Sequence, residues 1–301
     1  MNYFDVPSSL VGERLDVAVS RLAGISRTKA RDLITEGRVK VDGGKASPSH
    51  KISEGTVNIE IPEEDEVSPR GSADDIDIVH IDSDLVVINK PAGLAAHPTT
   101  GWQGPDVLGA LRDAGVPTCP YGDNDRRGIV HRLDVGTSGV MVVAISERAY
   151  DRLKTAFFER EVDKIYHALV LGNPSPPSGT IDAPIGRDRK TAWKMSVLEG
   201  GREAITHFDT LETLSGASLL EVKIDTGRTH QIRVHMSAIG HPCLGDPRYG
   251  GAKAATDGLI RQWLHARRLT IPHPELGPTT YEADYPPELT EVLERIRREG
   301  R

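Results

Sequence analysis

The nine residues HRLDVGTSG, at positions 131–139, lead directly into the apolar run VMVVAI at positions 140–145. Six apolar residues preceded by a turn of Gly, Thr and Ser predict a buried strand. Asp134 therefore stands at the entrance to this strand, close to Arg132. A carboxylate at the edge of a sheet, with an arginine beside it, is suited to chemistry on an anionic substrate. A structural ion pair is the competing interpretation of the same carboxylate.

Further strands follow closely along the chain, and few helices separate them. The sequence predicts strands at residues 76–81, 85–89, 140–145, 164–171, 207–214, 218–224 and 268–271. It predicts helices at residues 106–114, 147–160, 230–239, 258–265 and 287–298. Because a helix does not follow each strand, we expect an α+β fold with a large mixed, mainly antiparallel sheet rather than a doubly wound one.

The beginning of the chain forms a smaller unit. Residues 13–61 have the pattern of two helices followed by strands, with Gly37 typical of the end of the second helix. The segment PEEDEVSPRGSADD, at positions 62–75, is acidic and has no apolar periodicity. We therefore expect a small domain at residues 1–62, a linker at 63–75 and a larger second domain at 76–301.

The composition is that of an ordinary globular protein: the 301 residues are 38% hydrophobic and 27% charged, with a net charge of −7. No apolar run approaches the roughly 18–20 residues that span a bilayer, and the first residues lack the pattern of a secretory signal. Cys119 and Cys243 are far apart in the sequence, which indicates free thiols and a reducing compartment. We therefore expect a cytoplasmic protein without membrane contact.

The small domain is basic although the whole chain is acidic. Residues 13–51 carry nine Lys or Arg against five Asp or Glu. Such an excess is either a solvated helix face or a patch that binds phosphates. The candidate phosphate-binding residues are Arg27, Lys29, Arg31, Arg38 and Lys40.

Two other motifs each contain candidate residues. VVINKPAGLAAHPT, at positions 86–99, is a strand interrupted by proline and glycine, with Lys90 either in solvent or facing a phosphate. In DKIYHALV, at positions 163–170, the alternation of a strand puts Lys164 and Tyr166 on one side. A tyrosine in a strand usually belongs to the core, but it can also present its ring to a base.

The motif with the most hydrogen-bond donors is TGRTHQIRVHMSAIGHPCLGDPRYGG, at positions 226–251. Arg228 stands at the expected start of a helix and Arg233 about one turn later, which favours an anion-binding edge or a charge partner for a carboxylate. His235 and His241 lack a carboxylate or cysteine at ligand spacing, so a metal site is not indicated. Glycine-rich nucleotide motifs are missing too, so we expect no cofactor.

His131, Asp134 and Ser138 also suggest the triad of a serine hydrolase. All three lie within eight residues, whereas known triads assemble from separate segments, and no nucleophile elbow is present. We therefore disfavour this interpretation.

Taken in order, the blocks INKPAGL, HRLDVGTSG, K-x-Y and GRTHQIRVHM with GHPCLGD resemble the RluA family of pseudouridine synthases. The RLD start and the pattern SR..A..LI..G.V.V of the small domain are similar to an S-four-like RNA-binding module. The resemblance implies a pseudouridine synthase fold preceded by an S-four-like α/β domain. It also implies isomerisation of uridine in RNA, without a metal or organic cofactor. In that reaction ribose loses its bond to nitrogen 1 of uracil and gains one to carbon 5.

The resemblance also implies roles for individual residues. Asp134 corresponds to the family's essential aspartate, and Tyr166 to the tyrosine that packs against the target base. Arg228 corresponds to the arginine that pairs with the aspartate, with Arg233 as the alternative. Arg132 corresponds to the basic residue that fills the space left by a flipped nucleotide. The other residues expected to contact RNA are His131, Lys90, Lys164, Arg233 and the five basic residues of the small domain.

The chemistry of a single carboxylate agrees with an isomerase. Glycosidases generally need two carboxylates, whereas only Asp134 stands in a motif. An isomerase can work with one, because uracil stays bound and no water has to be activated. The carboxylate either attacks the ribose or removes the proton from ribose carbon 2, and the sequence leaves both routes open. A neighbouring arginine would keep it ionised.

The arrangement of the two domains resembles that of enzymes that modify large-subunit ribosomal RNA. We therefore expect a monomer whose partner is 23S ribosomal RNA or a precursor of the large ribosomal subunit. Two alternatives remain. One is a ribosome-assembly factor in which holding RNA matters more than catalysis, and the other is a synthase directed to tRNA.

Overall fold

The computed structural model describes residues 2–7, 10–23, 27–60, 71–98, 102, 104–120, 126–189, 191, 194–250 and 259–299, without the side chains of residues 2, 28 and 29. The chain divides into two compact units, Met1–Ser68 and Pro69–Arg301, each with its own apolar core. Residues 71–75, which we expected to end the linker, belong to the second unit. There Ala73–Asp75 form a 3₁₀ turn, and the backbone N–H of Ala73 donates to the Asp113 carboxylate.

The first unit packs two helices on a small antiparallel sheet. Its elements are β1 (Asn2–Asp5), α1 (Leu15–Ala23), α2 (Arg27–Thr35), β2 (Val39–Val41), β3 (Gly44–Lys45) and β4 (Thr56–Ile59). The strand order is β1-β4-β2-β3. Leu15 and Val19, four residues apart on α1, are buried together with Leu33 of α2 and Val57 of β4. The predicted helices and strands are confirmed, whereas the short strands β1 and β3 were not predicted.

The second unit is built around one large sheet. Its strands are β5 (Asp77–Ile81), β6 (Leu85–Lys90), β7 (Ser138–Ala144), β8 (Asp163–Leu171), β9 (Ser178–Asp182), β10 (Ile185–Arg187), β11 (Met195–Val197), β12 (Ile205–Leu214), β13 (Ala217–Ile224), β14 (Leu264–His273) and β15 (Gly277–Glu282). Its helices are α3 (Val107–Asp113), α4 (Glu147–Phe158), α5 (Gln231–Ala238) and α6 (Pro287–Glu299).

The order of the large sheet confirms the expected α+β class. Eight strands run in the order β5-β6-β7-β14-β8-β13-β12-β9, and β15 pairs with β14. The β7–β14 pair is parallel, and the other pairs of this sheet are antiparallel. The sheet is therefore mixed and mainly antiparallel, as the close succession of strands indicates.

Strand β7, predicted from the opening motif, is buried along its whole length. It enters the sheet through Gly139, whose φ is +121°, where a Cβ atom would lie 2.3 Å from the carbonyl oxygen of Ala266 on β14. Only glycine permits this conformation and this close contact between the two strands. The motif thus enters β7 beside β14, and Asp134 lies just before this entry.

One predicted helix is wrong. Residues 251–258 lie outside the described part, and the helix expected at 258–265 is replaced by strand β14, which begins at Leu264. The mixture of apolar and basic residues there fits a helix locally, but pairing with β7 and β8 decides the conformation. Strands β9, β10, β11 and β15 were not predicted, because they are short and half-exposed.

The expectations about membrane spans and cysteines can be compared with the structure. Among the described helices, none is long and apolar enough to cross a membrane. Cys119 and Cys243 are buried free cysteines, which agrees with the expectation of two free thiols.

Candidate active site

A cavity of about 630 Å³ opens in the second unit and brings together three of the four sequence blocks. Its wall includes Asp134 from the segment before β7, Tyr166 from β8 and Arg233 from α5. A neighbouring cavity of about 470 Å³ shares Asp134 and Arg233 with it. Asp134 therefore lies where two cavities meet.

The backbone around Asp134 is held by two hydrogen bonds. The N–H of Thr137 donates to the carbonyl of Asp134 at 3.0 Å, which closes a turn of four residues. The N–H of Gly93 donates to the carbonyl of Val135 at 2.8 Å. The KPAG turn after β6 therefore supports the turn that carries Asp134.

The carboxylate of Asp134 begins a chain of buried charges. Nη1 of Arg233 lies 3.0 Å from Oδ2 of Asp134, and the Arg233 side chain is only 4% exposed. Nε and Nη2 of Arg233 donate to the two carboxylate oxygens of Asp246 at 2.7 and 2.9 Å. Asp246 also accepts the backbone N–H groups of Arg248 and Tyr249. Arg233 is thus fixed in position by a bidentate pair and directs its remaining nitrogen at Asp134.

Burial and pairing act in opposite directions on these groups. Burial disfavours the charge of Arg233, but the hydrogen bonds with Asp246 and the charge of Asp134 raise its pKa above the ordinary value. Burial likewise disfavours ionised Asp246, and the hydrogen bonds from Arg233 lower its pKa below the ordinary value. Both partners are therefore charged at neutral pH.

The expected pairing of Arg228 with Asp134 is wrong, and the alternative, Arg233, makes the contact. Arg228 precedes α5, and its Nε donates to the backbone carbonyl of Glu203 at 2.8 Å. Arg233 lies within α5, whose position against β11 and β12 brings its guanidinium to the cavity. Arg228 remains part of the cavity wall.

Tyr166 lies in the cavity wall as its place on β8 predicts, and it is 8% exposed. Burial and the nearby charge of Asp134 raise its pKa, so the hydroxyl stays protonated at neutral pH. Lys164, two residues before it, also lines the cavity. Burial lowers the pKa of Lys164 to about 8.

The expectation that Lys90 faces a phosphate is wrong. Its side chain is fully buried, and Nζ donates to the carbonyls of Pro91 and Leu94 at 2.8 and 2.9 Å. Burial lowers its pKa to about 7. Lys90 therefore holds the KPAG turn together from inside, since the turn carbonyls need a donor there.

His131 lines the cavity, but its neutral ring offers no positive charge to RNA. Its Nε2 accepts the backbone N–H of Val142 at 3.0 Å, and its ring stacks on Phe157 at 4.6 Å. Burial lowers its pKa to about 3, so the ring is neutral. Ser138 is buried and hydrogen-bonded to His265 rather than to His131. The hydrolase triad is therefore not assembled.

The rim of the larger cavity is cationic and carries an exposed aromatic residue. Arg132 lines both cavities and is exposed. Arg126 and Arg160 are also exposed and line the larger cavity, where Arg160 pairs with Glu203 at 2.6 Å. Phe158, the last residue of α4, is 87% exposed at the same rim. Sequence reasoning missed Phe158 because the adjacent Phe157 gives the same apolar signal while packing inward.

His230 is a second residue that sequence reasoning missed. It is the residue before α5, its φ is +58°, and its Nε2 lies 4.0 Å from Oδ2 of Asp134. The motif is dense in hydrogen-bond donors, so nothing in the sequence singles out His230 among them.

Some of the basic residues of the first unit form ion pairs with neighbouring carboxylates, and others are exposed to solvent. Arg27 pairs with Asp16 at 3.2 Å, and Arg38 pairs with Glu36 and Glu60 at 3.1 and 3.3 Å. Arg31 and Lys40 are exposed. The side chain of Lys29 lies outside the described residues.

One group of side chains in the described residues has the composition of a metal site, namely His80, Asp82 and His273. Nδ1 of His273 accepts two backbone N–H groups, so its Nε2 carries the proton and donates to Asp82 at 2.8 Å. A nitrogen that carries a proton has no lone pair for a metal. The geometry therefore favours a structural role over a metal site: the two histidines hydrogen-bond to Asp82 in the turn between β5 and β6.

Comparison with known proteins decides the family. The RNA pseudouridylate synthase family matches residues 84–238, and the S4 domain family matches residues 13–58. The chain belongs to the RNA pseudouridine synthases. The enzyme is therefore an RNA uridine isomerase, and an S4 domain precedes its catalytic part.

The synthase is similar to relatives over nearly its whole length. It is 50% identical to an uncharacterized RNA pseudouridine synthase of Mycobacterium bovis, covering 98% of each chain. It is 39% identical to the ribosomal large subunit pseudouridine synthase D of Pseudomonas aeruginosa, covering 98% of this chain and 95% of the relative. The solved structure of human RNA pseudouridylate synthase domain containing 1 has 28% identity and a TM-score of 0.61, covering 75% of this chain and 96% of the human one.

Proposed function

We propose that this synthase converts uridine to pseudouridine in large-subunit (23S) ribosomal RNA, with Asp134 acting on the target nucleotide. The observation that carries the proposal is the buried chain from Asp134 through Arg233 to Asp246, which ends at a cavity whose wall includes Tyr166. The names of similar proteins, among them synthase D of Pseudomonas aeruginosa, support the ribosomal substrate. We propose further that the enzyme acts in the cytoplasm and as a monomer.

The target base has to leave its stack before Asp134 can reach the ribose. Flipping a base out costs a few kcal/mol, and stacking on an aromatic ring recovers part of that cost. Tyr166 would receive the flipped uracil, and the exposed Arg132 would occupy the space left in the RNA. The cationic rim would hold the flanking phosphates.

Arg233 would hold the Asp134 carboxylate oriented toward the nucleotide. The carboxylate then attacks carbon 1 of the ribose or removes the proton from carbon 2. The bond from carbon 1 to nitrogen 1 of uracil breaks, the base turns, and carbon 5 bonds to carbon 1. In the first route this last step releases the Asp134 carboxylate from carbon 1, and in the second route the carboxyl group returns the proton to carbon 2. Carbon 5 loses its proton and nitrogen 1 gains one, so the overall change is an isomerisation.

Tyr166→Phe is expected to keep most of the single-turnover rate and the RNA affinity, because the ring remains and the hydroxyl has a raised pKa. Tyr166→Ala is expected to lose stacking worth about 1–3 kcal/mol, or roughly 5- to 150-fold. Single-turnover kinetics and binding titrations on the same RNA measure both. If the Phe variant loses as much rate as the Ala variant, the hydroxyl takes part in the reaction.

The exposed cations of the S4 domain are expected to bind phosphates. Replacing Arg31 and Lys40 together with glutamine should flatten the dependence of log affinity on log salt. Each lost phosphate contact removes about 0.9 (duplex) or 0.7 (single strand) from the slope. Arg38→Gln is the matched control, because Glu36 and Glu60 already offset its charge. An unchanged slope in the double variant would mean that these cations are only solvated.

The experiment that tests the proposed function is the mapping of pseudouridine in total RNA from cells with and without the gene. We expect at least one position in large-subunit ribosomal RNA to lose its modification when the gene is deleted. Loss confined to tRNA would support the alternative substrate instead.

A further inference from the structure

We infer that His230 donates a hydrogen bond from Nε2 to an oxygen of the target nucleotide beside the glycosidic bond. The inference rests on the proposed function, because it assumes that a uridine lies against Asp134. Two oxygens meet the description, namely the oxygen on carbon 2 of uracil and the 2′-hydroxyl of the ribose. Both are acceptors attached to an atom next to the bond that breaks.

The hydrogen bonds around Tyr249 determine which nitrogen of His230 carries the proton. The backbone N–H of Met195 donates to the Tyr249 hydroxyl at 3.1 Å. Nδ1 of His230 lies 2.8 Å from the same hydroxyl and is the only acceptor for its hydrogen among the described contacts. The Tyr249 O–H therefore donates to Nδ1, and the proton of the neutral ring is on Nε2.

The Nε2–H group faces the reacting carboxylate without being bound to it. Nε2 lies 4.0 Å from Oδ2 of Asp134, which is too long for a hydrogen bond. The side chain is 12% exposed, and both His230 and Asp134 line both cavities. No described residue accepts from Nε2, so this donor is available to a substrate oxygen that lies beside Asp134.

The backbone and the surroundings keep the ring in this place and in this state. His230 is in the left-handed region, which is unfavourable for a residue other than glycine and is often found at functional sites. Burial lowers the pKa of the ring, and Asp134 offsets this only in part while Arg233 and Arg248 add to it. The imidazole is therefore a neutral donor at pH 7.

A neutral donor at this point suits the reaction. When the bond to nitrogen 1 breaks, the uracil takes the bonding electrons, and its carbon 2 oxygen carries part of the negative charge. A preorganised N–H stabilises charge that develops in the transition state more than it stabilises the bound substrate. His230 transfers no proton in this role.

The test uses His230→Asn in the full-length enzyme, on a synthetic RNA that carries the uridine identified by mapping. Asparagine tolerates the left-handed conformation and can still accept from Tyr249, but it lacks the Nε2–H group. We expect the single-turnover rate to fall roughly 10²- to 10³-fold, while the RNA affinity and the melting temperature stay near those of the wild type. Tyr249→Phe is expected to lower the rate less, and the double variant to be no slower than His230→Asn.

Two RNA analogues distinguish the two oxygens, one with 2-thiouridine and one with 2′-deoxyuridine at the target. On the analogue that lacks the bonded oxygen, His230→Asn should be no slower than the wild type. The inference is overturned if His230→Asn converts uridine at the wild-type rate, or if its defect is the same on uridine and on both analogues. If His230→Asn does not fold, an unchanged rate of Tyr249→Phe overturns it. A wild-type enzyme that forms no pseudouridine would instead refute the proposed function.

Discussion

Asp134→Asn is expected to abolish detectable pseudouridine formation, a loss of up to roughly 10⁴-fold, while RNA affinity stays nearly unchanged. The amide has the size of the carboxylate, so the cavity keeps its shape, but it is neither an ionised nucleophile nor a base. Quantification of pseudouridine in a single-turnover reaction measures the loss, and a binding titration measures the affinity.

Asp225→Asn is the matched control for this variant. Asp225 lines the same cavity, but its carboxylate pairs with His207 at 3.0 Å. We expect it to keep most of the activity, because the proposed chemistry needs only one carboxylate. An active Asp134→Asn enzyme would remove Asp134 from the mechanism. Ribosome profiles of an Asp134→Asn strain would further separate catalysis from a role in holding RNA during assembly.

Arg233→Met is expected to have the second large effect, on stability as well as on catalysis. It removes the partner of Asp246, whose side chain is fully buried, and the partner of Asp134. Breaking a buried ion pair from one side costs about 3–5 kcal/mol of unfolding free energy, because the remaining charge is left uncompensated. Denaturant unfolding measures this loss, and pseudouridine formation should fall with it, since Asp134 is no longer oriented.

The pH dependence of Arg233→Met has a definite sign. In the wild type the pKa of Asp246 is lowered, so its contribution to stability is present above the unfolded value of about 3.9 and is lost as pH falls through the folded value. In the variant, burial without a partner raises that pKa, so acid stabilises the variant. The difference in unfolding free energy should therefore shrink as pH falls.

Arg228→Met provides the control that separates the two arginines. Arg228 is half-exposed and donates to a backbone carbonyl, so we expect it to change the unfolding free energy much less than Arg233→Met does. If Arg228→Met were the more damaging variant, the assignment of Arg233 as partner of Asp134 would be wrong.

Much of the fold follows from local patterns in the sequence. Strand β7 could be predicted because its apolar run is long and is preceded by a turn. Helix α5 could be predicted because Arg228 stands at an expected helix start and Arg233 about one turn later. The helix expected at 258–265 failed because β14 owes its conformation to pairing with β7 and β8, which the local sequence does not contain.

The site was predicted as a set of segments rather than as a set of contacts. Asp134 and Tyr166 both line the cavity. Their place there could be predicted because Asp134 stands just before a recognisable strand and Tyr166 lies within one. The choice between Arg228 and Arg233 depends on how α5 packs, which no spacing reveals. Lys90 was misjudged because a lysine beside a turn is usually solvated, whereas here the turn closes around it.

The most direct test of the central claim is pseudouridine mapping of ribosomal RNA from three strains, which carry the gene, its deletion or the Asp134→Asn allele. We predict that the same large-subunit position or positions are modified in the first strain and unmodified in the other two. Restoration of the modification by the Asp134→Asn allele, or identical profiles in all three strains, would contradict the account.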